Sequence, residues 1–228
     1  MTPILWNLRL LEYDKQTLFQ VTDTKMKTTI HSSFKYMLPY LQGKRTLDIG
    51  CGSNKAPGAI GIDIKEDSDA DIVWDLNQFP WPLRDNSFAR IICDHSLEHL
   101  DDLVRVIEEI HRVAEPLGLV EIKVPHFSSP NAFALTHKHF FTTQAFDYFL
   151  PRVAVKNRNY DIHSKAQFSL LERKIIFAKR TGIKKIVHFH YYIFPVFPLA
   201  KYFPSMYETY FAGMFPAHEI YFKLQVLK

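Results

Sequence analysis

The strongest constraint in this sequence is a series of short apolar segments that end near glycine or an acid and follow one another too closely for helices to separate the first three. Residues 45–49 lead into Gly50-Cys51-Gly52, residues 59–64 contain Asp63, and residues 70–75 end on Asp75. Asp63 lies 11 residues beyond Gly52, and Asp75 lies 12 beyond Asp63. A parallel strand pair joined by a crossover helix needs more chain than that, so loops have to make both connections. Residues 89–93 form a fourth segment, ending at Asp94.

Helical periodicity surrounds these segments. Residues 24–41 place Ile30, Phe34, Met37, Leu38 and Leu41 on one face, with Gly43 as a stop. After Asp94, the positions Leu100, Leu103, Val104, Ile107 and Ile110 keep the spacing of an amphipathic helix. Ser96 is placed to cap its start, with Glu98, Asp101 and Asp102 near the positive end of its dipole. Pro116 and Gly118 close that helix, and residues 119–124 read as a fifth strand whose Glu121 and Lys123 mark an incompletely buried face. Residues 142–150 are expected to be helical, and 168–178 and 220–226 to be strands. Strand and helix alternating in this way imply a mostly parallel α/β sheet.

Ligands of open α/β sheets bind beyond the carboxyl ends of the strands. Those ends here carry Gly50, Cys51, Gly52, Asp63, Asp75 and Asp94. Glycine admits close backbone approach, and an acid one strand further on can accept two ribose hydroxyls. A dinucleotide fingerprint wants a third glycine and an acid about 20 residues on, and neither is present, which argues against a nicotinamide dehydrogenase. The stretches Leu47-Asp48-Ile49-Gly50-Cys51-Gly52, Gly61-Ile62-Asp63-Ile64, Trp74-Asp75-Leu76, Asp85-Asn86-Ser87-Phe88 and Cys93-Asp94-His95-Ser96-Leu97-Glu98-His99-Leu100 resemble the class I S-adenosylmethionine-dependent methyltransferases, type 11-like. Ile110-His111-Arg112-Val113 and Gly118-Leu119 extend the match, which covers about residues 45–125. The loop 53–58, in place of the usual crossover helix, resembles a subfamily with a shortened glycine loop.

The resemblance implies a Rossmann-like fold, a mostly parallel seven-stranded sheet with an antiparallel last strand and helices on both faces. It implies S-adenosylmethionine as cofactor. Asp48, Gly50, Cys51 and Gly52 would then hold its methionine end, Asp63 its ribose hydroxyls, Ile64 the adenine face, Asp75 and the Leu76 backbone the adenine edge. Asp94 and His95 would line the fourth strand end beside the methionyl group. One domain is expected over 1–228, with a helical cap at 1–43, the cofactor core at 44–126 and a C-terminal part at 127–228 that holds an aromatic insertion at about 180–217.

Composition separates cofactor from acceptor. Residues 151–190 hold ten Lys or Arg and two acids, so the remainder carries 18 bases against 22 acids. Eleven of the chain's 33 aromatics fall between 189 and 215. An insertion between the last two strands sits on the acceptor side in the family, and so is expected to form acceptor-pocket or lid structure, with core cover or a homodimer interface as the alternatives. The favoured acceptor is a small molecule or a glycan or lipid precursor, methylated on oxygen or nitrogen. The basic segment admits an RNA methyltransferase as the rival, and a non-catalytic cofactor-binding protein is a second.

If the acceptor enters protonated, His99, His126, His137 and His139 are the candidate bases. The spacings His137-x-His139 and His188-x-His190 offer pairs of metal ligands without a third, so no metal site is expected. Two cysteines cannot build a disulfide framework, which with no secretory signal or long apolar span makes a cytoplasmic setting the expectation, while the aromatic block leaves room for peripheral membrane contact.

Overall fold

A computed structural model of the chain describes residues 45–151, 164–177 and 196–228. The helix expected over 24–41, most of the basic segment and the first part of the aromatic insertion lie outside the described residues. Seven strands form one sheet: β1 (Thr46–Ile49), β2 (Ile60–Asp63), β3 (Ile72–Val73), β4 (Phe88–Asp94), β5 (Ala114–Pro125), β6 (Gln167–Ile176) and β7 (Glu219–Leu227). Their spatial order is β3-β2-β1-β4-β5-β7-β6. The first five strands run parallel, and β7 enters antiparallel between β5 and β6. This is the Rossmann-like class I methyltransferase arrangement, with the order reversing between β1 and β4, the position at which ligands of such sheets bind.

Alternation sets which face is covered. Along β7 every second residue, from Ile220 to Val226, is buried; Ile220, Phe222 and Leu224 pair with Val124, Ile122 and Val120 of β5, and Val226 with Phe168 of β6. Helix α1 (Leu103–Val113) covers this face with Val106, Ile107, Ile110 and Val113. The segment 141–150 adds Phe141, Phe146 and Phe149, and Phe146 meets Phe222 edge to face at 4.8 Å between ring centroids. Each large side chain buried there contributes about 1.5–3 kcal/mol. Glu121 and Lys123 remain partly exposed on the opposite face, as their alternation predicted. Among the described residues no helix is long and apolar enough to cross a membrane.

Four elements depart from expectation: β5 begins at Ala114, directly after the helix, so Pro116 and Gly118 lie inside the strand and do not close the helix. Helix α1 starts at Leu103, capped by Asp102, which accepts from the Arg105 N–H at 3.1 Å. Ser96 caps nothing; it begins a single 3-10 turn, Leu97–His99, that drives Leu97 and Leu100 into the core. Residues 142–150 form turns and a 3-10 turn, Asp147–Phe149. Glu208 takes the N–H and hydroxyl of Thr143, and Arg173 pairs with Asp147, so polar groups of this segment are held from outside it. The apolar spacing of Phe146, Phe149 and Leu150 suits such turns as well as an α-helix. Finally, β3 is only two residues long, paired through Ile72 and Val73.

The insertion between β6 and β7 carries two short helices, α2 (Val196–Tyr202) and α3 (Pro204–Tyr210). They enclose a second small core of Val196, Ala200, Tyr207, Ala212, Phe215 and Ala217, with Phe127 and Ile175 packed against it. Phe127 follows the end of β5, so the insertion sits over the carboxyl end of that strand.

Candidate functional site

The turn after β1 is built by close approach. Gly50 has φ +66°, and its N–H bonds the Ile62 carbonyl of β2 at 2.8 Å. A Cβ at Gly50 would lie 2.5 Å from Cβ of Ser96, so the turn after β4 rests directly on it. Gly52 has φ +53° but faces open space, with no atom within 4 Å of where a Cβ would be. Cys51 is buried with its sulfur turned onto Gly61, and its thiol is pushed up to about 12, chiefly by burial and then by the Asp48 and Asp63 charges. That thiol is a packing group.

Loops replace both crossover helices, and polar struts hold them. Asp48 accepts the Ala56 N–H at 2.7 Å. Lys55 pairs with Asp71 at 2.9 Å, and the same Asp71 oxygen accepts the Gly61 N–H at 2.9 Å. Asp63 is clasped from both sides: Gly52 N–H donates to one oxygen and Lys65 N–H to the other, each at 2.9 Å. These bonds fix the carboxylate while occupying about two of its four lone-pair positions. Beside it Ile64 is 61% exposed, an apolar side chain standing free at a strand end. Asp75 accepts the Asn77 N–H at 2.9 Å, and the Leu76 carbonyl accepts the Trp81 indole N–H at 3.0 Å. Desolvation raises the Asp48 carboxyl above the ordinary carboxylate range, the Ala56 N–H opposes that, and the charges of Asp94 and Asp63 add to it.

At the end of β4, Asp94 pairs with Lys123 at 2.5 Å. His95 has φ +52°, a left-handed conformation that directs the chain into the 3-10 turn. Its Nδ1 lies 3.2 Å from Glu98 Oε1 and its Nε2 lies 3.2 Å from Glu219 Oε1. The hydrogen bond to Glu98 is the first cause that raises the imidazole above its ordinary value, desolvation opposes it, and the Glu98 charge and Glu219 reinforce it. His218 approaches the same Glu219 oxygen at 3.2 Å. Ser96 is buried, and its hydroxyl has no hydrogen-bond partner among the described residues.

The four histidines singled out as bases take different places. His126 has no exposed surface; Nδ1 meets the Ser128 hydroxyl at 2.7 Å and Nε2 lies 3.3 Å from Glu208 of α3, so the ring pins the insertion to the end of β5. His139 points Nε2 at the Leu100 carbonyl at 2.8 Å. His99 and His137 stand together, ring centroids 4.7 Å apart and nearly perpendicular. Glu98, Glu219 and His218 were missed as site residues. The pattern His-Ser-Leu-Glu-His did hold a signal, since a turn in place of a helix brings its first histidine and its acid together.

The arrangement can be tested against a sulfonium nucleoside. A fixed acceptor at Asp63, an exposed apolar side chain at Ile64, open space at Gly52 and the concentration of Asp48, Asp63 and Asp94 all suit a ligand with hydroxyls, a flat ring and a positive charge. The residues fit. Among known proteins, the family described as Methyltransferase domain matches residues 47–122. Similar solved structures include a SAM-dependent methyltransferase from Archaeoglobus fulgidus, 15% identical, covering 87% of this chain and 94% of that one at a TM-score of 0.46. An S-adenosylmethionine-dependent methyltransferase from Mesorhizobium loti is 15% identical, covering 85% and 96% at a TM-score of 0.47. No curated protein matches the sequence. Family match, strand order and strand-end chemistry agree: residues 47–122 form a class I methyltransferase domain whose cofactor is S-adenosylmethionine.

Proposed function

We propose that the chain methylates an oxygen or nitrogen of a small molecule or a glycan or lipid precursor that enters over the carboxyl ends of β4 and β5. The reading rests on one observation above others, the Asp63 carboxylate held by two backbone amides between open Gly52 and exposed Ile64. When bound, S-adenosylmethionine supplies a methyl group made electrophilic by its sulfonium. Asp63 would accept the ribose hydroxyls, Ile64 would cover the adenine, and Asp75 with the Leu76 backbone would meet its edge. Asp48, Gly50, Cys51 and Gly52 would hold the methionine end, with Asp94 and His95 alongside. Much of such a reaction is alignment and exclusion of water, and the insertion over β5 would supply both. Where the acceptor brings a proton, His99, His137 and His139 are the candidates: His99 and His139 each hold a backbone carbonyl through one ring nitrogen and keep the other, whereas His126 is fully enclosed.

Calorimetric titration and thermal melts with S-adenosylhomocysteine test the first half. Binding is expected to raise Tm, and Asp63→Ala is expected to weaken affinity by at least about tenfold, the equivalent of one lost charged hydrogen bond. Absence of binding to folded protein would sink the reading. Release of S-adenosylhomocysteine against an acceptor panel tests the second half: turnover only with RNA would move the proposal to its rival, and binding without turnover would favour a non-catalytic role.

A further inference from the structure

Glu98, His99 and His137 converge on a space that no role above requires all three to line. The 3-10 turn Leu97–His99 presents Glu98 and His99 in succession, and the loop that follows β5 is zipped onto it. Lys138 N–H donates to the Glu98 carbonyl at 2.7 Å, and His137 N–H to the Ala134 carbonyl at 2.9 Å. One ligand-capable atom from each of the three side chains lies within 4.8 Å of the other two. The pair suggested by spacing, His137-x-His139, is therefore split, and the fold supplies the third ligand that the sequence did not show.

Two of those side chains carry unsatisfied buried atoms. Glu98 is 1% exposed; its Oε1 is engaged by His95, but Oε2 has no hydrogen-bond partner among the described residues. Nδ1 of His137 is likewise buried without a partner among the described residues. A buried polar group left unpaired costs about 1–3 kcal/mol, and more when charged. The nearby ammonium of Lys138 does not answer Glu98, since it pairs with Asp101 at 2.5 Å. His99 is oriented for ligation: a carbonyl can only accept, so Nδ1 donates to Thr136 O at 3.1 Å, and the lone pair is left on Nε2. A backbone carbonyl behind the imidazole is the usual way a metal-binding histidine is held.

We propose that Glu98, His99 and His137 bind one divalent transition-metal ion of the zinc class. Two imidazole nitrogens and one carboxylate oxygen form a donor set that zinc accepts with a further position open to water or an incoming oxygen. Zinc bonds of about 2.0–2.1 Å imply ligand atoms roughly 3.3 Å apart in a tetrahedron. Closing from 4.8 Å requires the side chains to move together by about an ångström or slightly more, within rotamer adjustment. Through its other oxygen, Glu98 would join the ion to His95 and so to the end of β4.

The test uses the full chain, stripped with a chelator and titrated with zinc and with cobalt(II) in the absence of nucleoside. One ion per chain is expected, with visible cobalt bands of low coordination number and a raised Tm. His137→Ala and His99→Ala should each weaken zinc by more than the roughly 10–100-fold caused by losing a supporting hydrogen bond behind a ligand. His139→Ala should retain it. Glu98→Gln is the stricter variant, and circular dichroism with S-adenosylhomocysteine binding reports whether it folds; the two histidine variants decide the matter without it. No stoichiometric metal, or metal bound equally well by His99→Ala and His137→Ala, overturns the site, and neither result bears on the cofactor reading.

Discussion

Gly50 and Gly52 share a turn and a left-handed backbone but meet different demands. A methyl group at Gly50 must displace Ser96, whose Cβ would be 2.5 Å away, whereas one at Gly52 meets nothing. Gly50→Ala therefore adds overpacking to the cost of a left-handed non-glycine residue, and about 3 kcal/mol of stability should be lost. Gly52→Ala should lose only about 1–2 kcal/mol, while its methyl projects where the nucleoside is proposed to lie. Urea midpoints and nucleoside titrations of the two variants should thus rank them in opposite order. Equal destabilisation would show that Ser96 does not rest on Gly50. The glycines and the strand-end acids were legible because each follows from its place in a strand-turn pattern. Glu98, Glu219 and the clasp on Asp63 were not, since they depend on a turn type and on contacts between residues as far as 124 positions apart.

At the scale of elements, strands β5 and β7 were readable from alternation, β4 and β6 only as short strand-like runs, and the loops 50–59 and 64–71 from arithmetic alone. The start of α1 was not. Ser96 and Asp102 are both acceptable caps, and only the left-handed His95 and the burial of Leu97 decide between them. Helix α1 also holds the segment before β4 through one guanidinium. Arg112 donates to the Leu83 carbonyl at 2.8 Å, to the Trp81 carbonyl at 3.1 Å and to Asp85 at 2.5 Å, and is held in place by Glu109. Glu109 in turn accepts the Trp81 N–H at 2.7 Å. Arg112→Met keeps the aliphatic stem and removes all the guanidinium's bonds while leaving that of Trp81 to Glu109, so about 2–4 kcal/mol should be lost. Denaturant unfolding measures it, and a loss below about 1 kcal/mol would mean that packing alone secures residues 79–87.

Over the whole molecule, two apolar cores meet at the end of β5, and one side chain of α3 spans the junction. Glu208 accepts the Thr143 N–H at 2.6 Å and its hydroxyl at 2.9 Å, and lies 3.3 Å from His126. Glu208→Ala should cost about 2–3 kcal/mol by leaving buried donors unpaired, and should expose residues 196–217 to proteolysis before the sheet unfolds. Simultaneous cleavage and unfolding would show that the two cores melt as one. The sequence marked this region as different in charge and aromatic content, yet seven of its ten basic residues between 151 and 190 lie outside the described residues, and Arg173 is taken by Asp147. The missing crossover helices bear on the order of folding. Leu47 pairs with Ile60, 13 residues away, whereas Leu119 pairs with Gln225, 106 residues away. Closing the longer loop costs about 2 kcal/mol more in chain entropy, so the edge of the sheet that carries Gly50 and Asp63 is the part that pairs cheaply, and the joining of β7 to β5 is the costlier step.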